Sequence, residues 1–140
     1  MLINDLSLRI LRHELQIKTA IEKVLTSGWV VLGPEVKKFE QSFAQYLGVS
    51  HCITVANGTD AIELALKALG VQRGDLVATV ANAGMYTTTA LLAIGAQPVY
   101  MDVSISTSNV YLSEVERVIK QGVKAVVLTH LYGLAIEDLG

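Results

Sequence analysis

Four short runs rich in β-branched residues alternate with helical patterns along most of this chain. The runs are "HCITVA" (51–56), "LVATVA" (76–81), "PVYMDV" (98–103) and "KAVVLTH" (124–130). Helical patterns fill the intervals at 59–69, roughly 86–94, and 113–121. No other feature constrains the fold as much. Strands separated by about ten helical residues cannot close as a hairpin, so each helix must cross over and the strands come out mainly parallel. Gly70, Gly95 and Gly122 each stand just past a helical pattern, where a C-cap glycine belongs. Hydrophobic residues make up 51% of the chain and charged residues 17%. That balance fits strands buried on both faces of a sheet, or surface kept for a partner chain or further sequence. The expected fold is α/β, a three-layer, mainly parallel sheet, and 140 residues make one domain or part of a larger one.

Upstream, residues 6–26 place Leu11, Leu15, Ala20, Ile21, Val24 and Leu25 at helical spacing, which predicts one amphipathic helix ending near Ser27-Gly28. "SGWVVLGP" is a glycine-bounded connector. Pro34 then opens a second helix, with Val36, Phe39, Phe43, Tyr46 and Leu47 on one face and Gly48 as its stop. Residues 1–50 therefore read as helices and connector, and 51–140 as the alternating units. "LYGLAIEDLG" at the end of the sequence reads as the start of a further helix.

Several function classes drop out on composition. A net charge of −2 without a basic stripe lacks the footprint of a nucleic-acid binder. No run reaches the roughly 18 uncharged apolar residues of a membrane span. Asp5, Arg9, Arg12 and Glu14 interrupt the first apolar residues, so a signal peptide is not expected. A single cysteine, Cys52, excludes an internal disulfide framework and suits a reducing compartment, so the expected location is cytoplasmic. His13, His51, His130 and Cys52 show no metal-ligand spacing. Neither dinucleotide-binding nor P-loop glycine fingerprints occur, which counts against a nicotinamide dehydrogenase.

Three stretches at the carboxyl ends of strands, where parallel sheets bind ligands, hold the candidate residues. Asn57-Gly58-Thr59 lies between a strand and a helix. The helix N-terminus offers unpaired amides and a positive dipole end, Gly58 admits an oxyanion close to the backbone, and Thr59 adds a hydroxyl. The same residues also read simply as a turn and an N-cap. "ANAGMYTTTA" (81–90) brings Tyr86, which could stack on a flat ring or pack against the core, beside Thr87, Thr88 and Thr89. "THLYG" (129–133) puts His130 on the same edge as Asn57 and Asn82. Trp29, the only tryptophan, reads equally as core, interface or substrate contact.

Taken together, "SGWVVLGPEVKKFEQSFAQYLGV", "VANGTDAIELALKALGVQRGD", "GAQPVYMDV" and "LTHLYG" resemble the sugar aminotransferases of the DegT/DnrJ/EryC1/StrS family. The resemblance runs in order from about residue 5 to 138. It implies the aspartate-aminotransferase (type I) fold and pyridoxal phosphate as cofactor. It further implies glutamate as amino donor, a nucleotide-linked keto-sugar as acceptor, and a homo-oligomer, expected to be a dimer. By the same likeness, the turn at Gly58 and Thr59, with Asn57 beside it, binds the cofactor phosphate, and an aromatic from residues 82–88 stacks on its ring. Here the pattern departs. Ungapped counting places Gly84 where the aromatic is expected, and Tyr86 is the ring available from a shifted register. His130 and Trp29 fall in the active-site vicinity, and Asp138 matches a trailing acidic position. The family lysine that bonds to the cofactor, and the aspartate that pairs with the pyridine nitrogen, follow the "HLYG" motif and match nothing within these residues. The seven lysines, Lys18, Lys23, Lys37, Lys38, Lys67, Lys120 and Lys124, sit in helical patterns or before a strand. The chain is thus expected to be an amino-terminal portion of the large domain, with no catalytic residue of its own, inactive alone, and exposing apolar surface. Two other readings stay open. One is a sugar dehydratase of the same family with histidine in place of that lysine; the other is a non-catalytic α/β module that binds a phosphorylated ligand.

Overall fold

The computed structural model describes residues 5–136, and Asp138 lies outside them. Two compact units divide at Thr54/Val55.

The first unit is helical. Helix α1 (Leu6–Arg12) and helix α2 (Glu14–Ser27) replace the single helix expected over 6–26. His13 is the break. With φ −123° and ψ 18° it leaves the helical region, its N–H closes α1 on the Ile10 carbonyl, and its own carbonyl starts α2 by accepting from Ile17. Gly28, with φ +68°, ends α2. Helix α3 (Pro34–Leu47) begins on the expected proline and stops at Gly48, whose φ of +70° suits glycine. Along it Phe39 stacks on Phe43, their centroids 5.5 Å apart. The Glu40 carboxylate accepts both the N–H and the hydroxyl of Thr54 at 2.8 Å, which ties the end of this unit to α3.

The second unit holds the sheet. Helix α4 (Gly58–Ala68), strand β1 (Leu76–Val80), helix α5 (Tyr86–Ile94), strand β2 (Gln97–Met101), helix α6 (Leu112–Lys120) and strand β3 (Ala125–Val126) follow in order. The three strands are parallel in the order β2-β1-β3, with Val77 opposite Pro98 on one side and Ala125 on the other. From β1 the chain steps to β2, then returns across β1 to β3. Right-handed crossovers in opposite directions put their helices on opposite faces. The packing agrees. Val77 joins Leu66, Val71, Leu91 and Ala96 on the side of α4 and α5. Ala78 and Val80 join Met101, Val110 and Val118 on the side of α6. Successive β1 residues thus serve opposite cores, which is why all but its first residue are buried. The three layers expected of the sequence are present.

Two expected strands differ. Residues 51–56 form no ladder; Ile53 is 80% exposed, and no strand lies alongside among the described residues. An extended run becomes a strand only with a partner for its backbone groups. The run 124–130 is reduced to Ala125–Val126, although Lys124 and Val127 still donate to the Leu76 and Ala78 carbonyls of β1. Where a further helix is expected after residue 130, the described residues show one 3-10 turn, Leu131–Gly133, with Tyr132 at φ +54°.

A charged clasp fastens α6 to β2. Arg117 donates Nε and Nη2 to the two oxygens of Glu114 at 2.8 and 2.7 Å, and Nη2 also reaches the Tyr100 carbonyl at 2.9 Å. Glu114 in turn accepts the Asp102 N–H at 2.9 Å. Arg117 first, and then that amide, hold the Glu114 carboxyl down to about 2 from the usual 4.5. A group whose folded value is depressed adds stability above its unfolded value and loses it as pH falls toward the folded one. Urea midpoints are therefore expected to drop between pH 4.5 and about 2. Glu114→Gln should flatten part of that slope; an unchanged slope would show that the clasp carries no linkage. Glu40, lowered by its two bonds to Thr54, supplies a further part in the same direction.

Candidate functional site

The start of α4 explains itself from its sequence. Asn57 is extended (φ −161°, ψ 175°) and its side-chain oxygen accepts the Asp60 N–H at 2.9 Å, the N-cap arrangement. Asp60 lies in the first turn, where the helix dipole favours a negative charge. So the turn-and-cap reading of Asn57 holds as far as its oxygen is concerned. It leaves the Gly58 and Thr59 amides, which have no intrahelical acceptor by helix geometry.

Gly58 has neither of the ordinary reasons to be glycine. It is absent from the positive-φ residues, and a Cβ built on it would meet nothing within 4 Å. By contrast Gly95, at φ +76°, would strain any side chain and drive it to 2.9 Å from Arg73. The missing side chain at position 58 instead leaves the amides of the helix start open to approach from outside.

What lies outside is a cavity of about 470 Å³ walled by Asn57, Gly58, Thr59, Ile62 and Tyr86. Asn57 to Ile62 come from the start of α4, and Tyr86 is the first residue of α5, just beyond the carboxyl end of β1. Two of the stretches singled out in the sequence are thereby brought together. Their residues divide the chemistry. The α4 end presents N–H groups and a hydroxyl, and Tyr86 and Ile62 present apolar wall. Of the α5 threonines, Thr87 and Thr88 are buried, and the Thr88 hydroxyl pairs with the Tyr100 hydroxyl at 3.1 Å, so these two serve packing.

The other candidates have local partners of their own. Asn82 donates its side-chain amide to the Ser108 carbonyl at 2.8 Å, a loop clasp. His130 is exposed, and its Nδ1 accepts the Ile136 N–H at 3.0 Å, bracing the turn after β3; it does not line the cavity. Trp29 belongs to the first unit, is 60% exposed, and lies against Gly33, where a Cβ would approach its ring to 3.2 Å. Among the described residues no cluster of histidine, cysteine or carboxylates could hold a metal, and no helix is long and apolar enough to cross a membrane. Sequence reasoning did not single out Ile62 as a wall of this cavity. It sits one turn below Gly58 on the face of α4 that also packs on the sheet, so a helical wheel drawn from Gly58 would have found it.

The sequence pattern of the DegT/DnrJ/EryC1/StrS aminotransferase family matches residues 12–139. The chain belongs to this family. Among its aminotransferase relatives is dTDP-3-amino-3,4,6-trideoxy-alpha-D-glucose transaminase of Micromonospora megalomicea subsp. nigra, 40% identical over 126 residues. That alignment covers 90% of this chain and 34% of the relative. A solved family aminotransferase from Brucella abortus superimposes with a TM-score of 0.89 at 35% identity, over 98% of this chain and 39% of the other. The NtdA protein of Bacillus subtilis, solved with the cofactor PMP bound, gives a TM-score of 0.80 at 32% identity, over 86% of this chain and 28% of the other. The chain thus spans about a third of the length of the relatives it matches. Its parallel α/β sheet is that of the family's aminotransferases.

Proposed function

We propose that these residues form the cofactor-phosphate end of a pyridoxal-phosphate-dependent aminotransferase that moves an amino group, with glutamate as donor, to a keto-sugar carried on a nucleotide. The observation that carries the reading is Gly58, a glycine that neither its backbone angle nor its packing requires, standing at the open end of α4. The Gly58 and Thr59 amides and the Thr59 hydroxyl hold the phosphate, whose charge the helix dipole favours. Tyr86 and Ile62 bound the space for the ring and keep water from it. When bound, pyridoxal phosphate supplies a ring that absorbs the negative charge left on the carbon that loses a proton. The nucleotide-sugar acceptor is favoured by the name of the Micromonospora relative, and the cofactor by the PMP in the Bacillus structure, PMP being the aminated form of the same group. Assembly as a dimer is part of the same proposal.

Pyridoxamine phosphate is the suitable probe, because it has no aldehyde to react with surface lysines. Saturable binding of it to this chain, followed by its fluorescence and reversed by inorganic phosphate, is the expected result. Thr59→Val keeps the shape and removes one hydrogen bond to a charged group, worth about 1.5 kcal/mol or tenfold in affinity. Equal affinity in the variant, or no saturation at millimolar probe, would refute the assignment.

A further inference from the structure

Gly84 has a left-handed backbone, φ +72°, and a side chain there would have no room. A Cβ on it would stand 2.9 Å from Cε2 and 3.2 Å from Cδ2 of the Tyr86 ring. Real Cβ atoms do not approach a ring carbon so closely, and the ring is the far end of a side chain free to swing. The ring therefore lies folded back over Gly84, in the space that a residue at 84 would claim, and from there walls the cavity shared with Gly58 and Thr59. Little packs around it: Tyr86 is 67% exposed.

We infer that Gly84 is a positioning residue for the ring of Tyr86, and that the two act as one unit, a vacancy at 84 filled from 86, to stack on the planar ring of an aromatic phosphate bound at Gly58 and Thr59. The inference rests on the cofactor-site reading above but goes beyond it, because it assigns the ring contact to a coupled pair. A residue acting on the ligand through another has a recognisable signature. Its substitution matters only while the other is present.

The test is a double-mutant cycle on the 140-residue chain, with pyridoxamine phosphate and inorganic phosphate as separate probes. Tyr86→Ala is expected to weaken pyridoxamine phosphate roughly tenfold through lost stacking and leave inorganic phosphate unchanged. Gly84→Ala should cause a loss of similar size for pyridoxamine phosphate alone. In the Tyr86→Ala background the same change at 84 should have no further effect on either probe. Strain from alanine at a positive φ would lower stability equally in both backgrounds, so unfolding midpoints separate it from the binding effect. Gly84→Asn, which tolerates left-handed backbone better yet carries the same Cβ, serves if the alanine variant does not fold. Additive losses from the two substitutions would overturn the coupling. Undiminished pyridoxamine phosphate binding by Tyr86→Ala would overturn the stacking while leaving the phosphate site intact. Failure of both probes to bind the parent chain would overturn the site itself.

Discussion

Leu91→Ala is expected to lower the free energy of unfolding by about 2–5 kcal/mol, the range for emptying a buried leucine site. Leu91 is fully buried on α5 and packs with Leu66 of α4, Val77 of β1, Val71 and Ala96. These neighbours come from four stretches of chain anchored by backbone bonds, so they cannot all close on the void. A loss of that size is a large share of the 5–15 kcal/mol that typical domains possess. Its neighbour Leu92 provides the control. At 62% exposure, truncation to alanine should cost well under about 1 kcal/mol. Urea midpoints of the two variants, compared at equal slope, make the measurement. Similar losses for both would mean that α5 does not pack by its Leu91 face.

That pair also shows how much the sequence could tell. The period of "MYTTTALLAIG" gave α5 to within a residue, because Ala90, Leu91 and Ile94 recur at helical spacing and Gly95 caps the end with φ +76°. Strand β1 was equally plain, since an apolar β-branched run of that length has one use in a parallel sheet. The readings that failed depended on partners, which local composition does not encode. "HCITVA" has every preference of a strand, yet preference without a neighbouring ladder leaves it outside the sheet and Ile53 exposed. The break at His13 was hidden for a different reason. The apolar spacing continues through it, and a cap made by backbone bonds alone leaves no residue signature. Gly58 and Thr59 were singled out as a glycine and a hydroxyl at a helix start, a pattern that suits an anion, and the structure puts both on one cavity. Tyr86 was named with them, and it walls the same cavity, its ring folded back over Gly84.

Gly58→Ala is expected to make the protein more stable and the site worse. On the stability side, the parent φ is ordinary and the added methyl meets nothing within 4 Å, so no strain or clash enters. Alanine also has fewer unfolded conformations to lose and a better helix propensity, for a gain of about 0.5 kcal/mol. On the binding side, the methyl stands where a phosphate oxygen would approach the first two amides of α4. The amides themselves remain, as does the Asn57 cap that fixes the helix start. Lengthening one of their hydrogen bonds to a charged group should weaken pyridoxamine phosphate by about tenfold or more. The two effects have opposite signs, so a single variant measured by urea unfolding and by probe titration separates them. A variant both more stable and equally tight would leave this glycine without a ligand to explain it. A variant that loses stability would mean that position 58 is held by contacts within the fold. Only a rise in midpoint together with a fall in affinity matches a residue kept small for something that binds from outside.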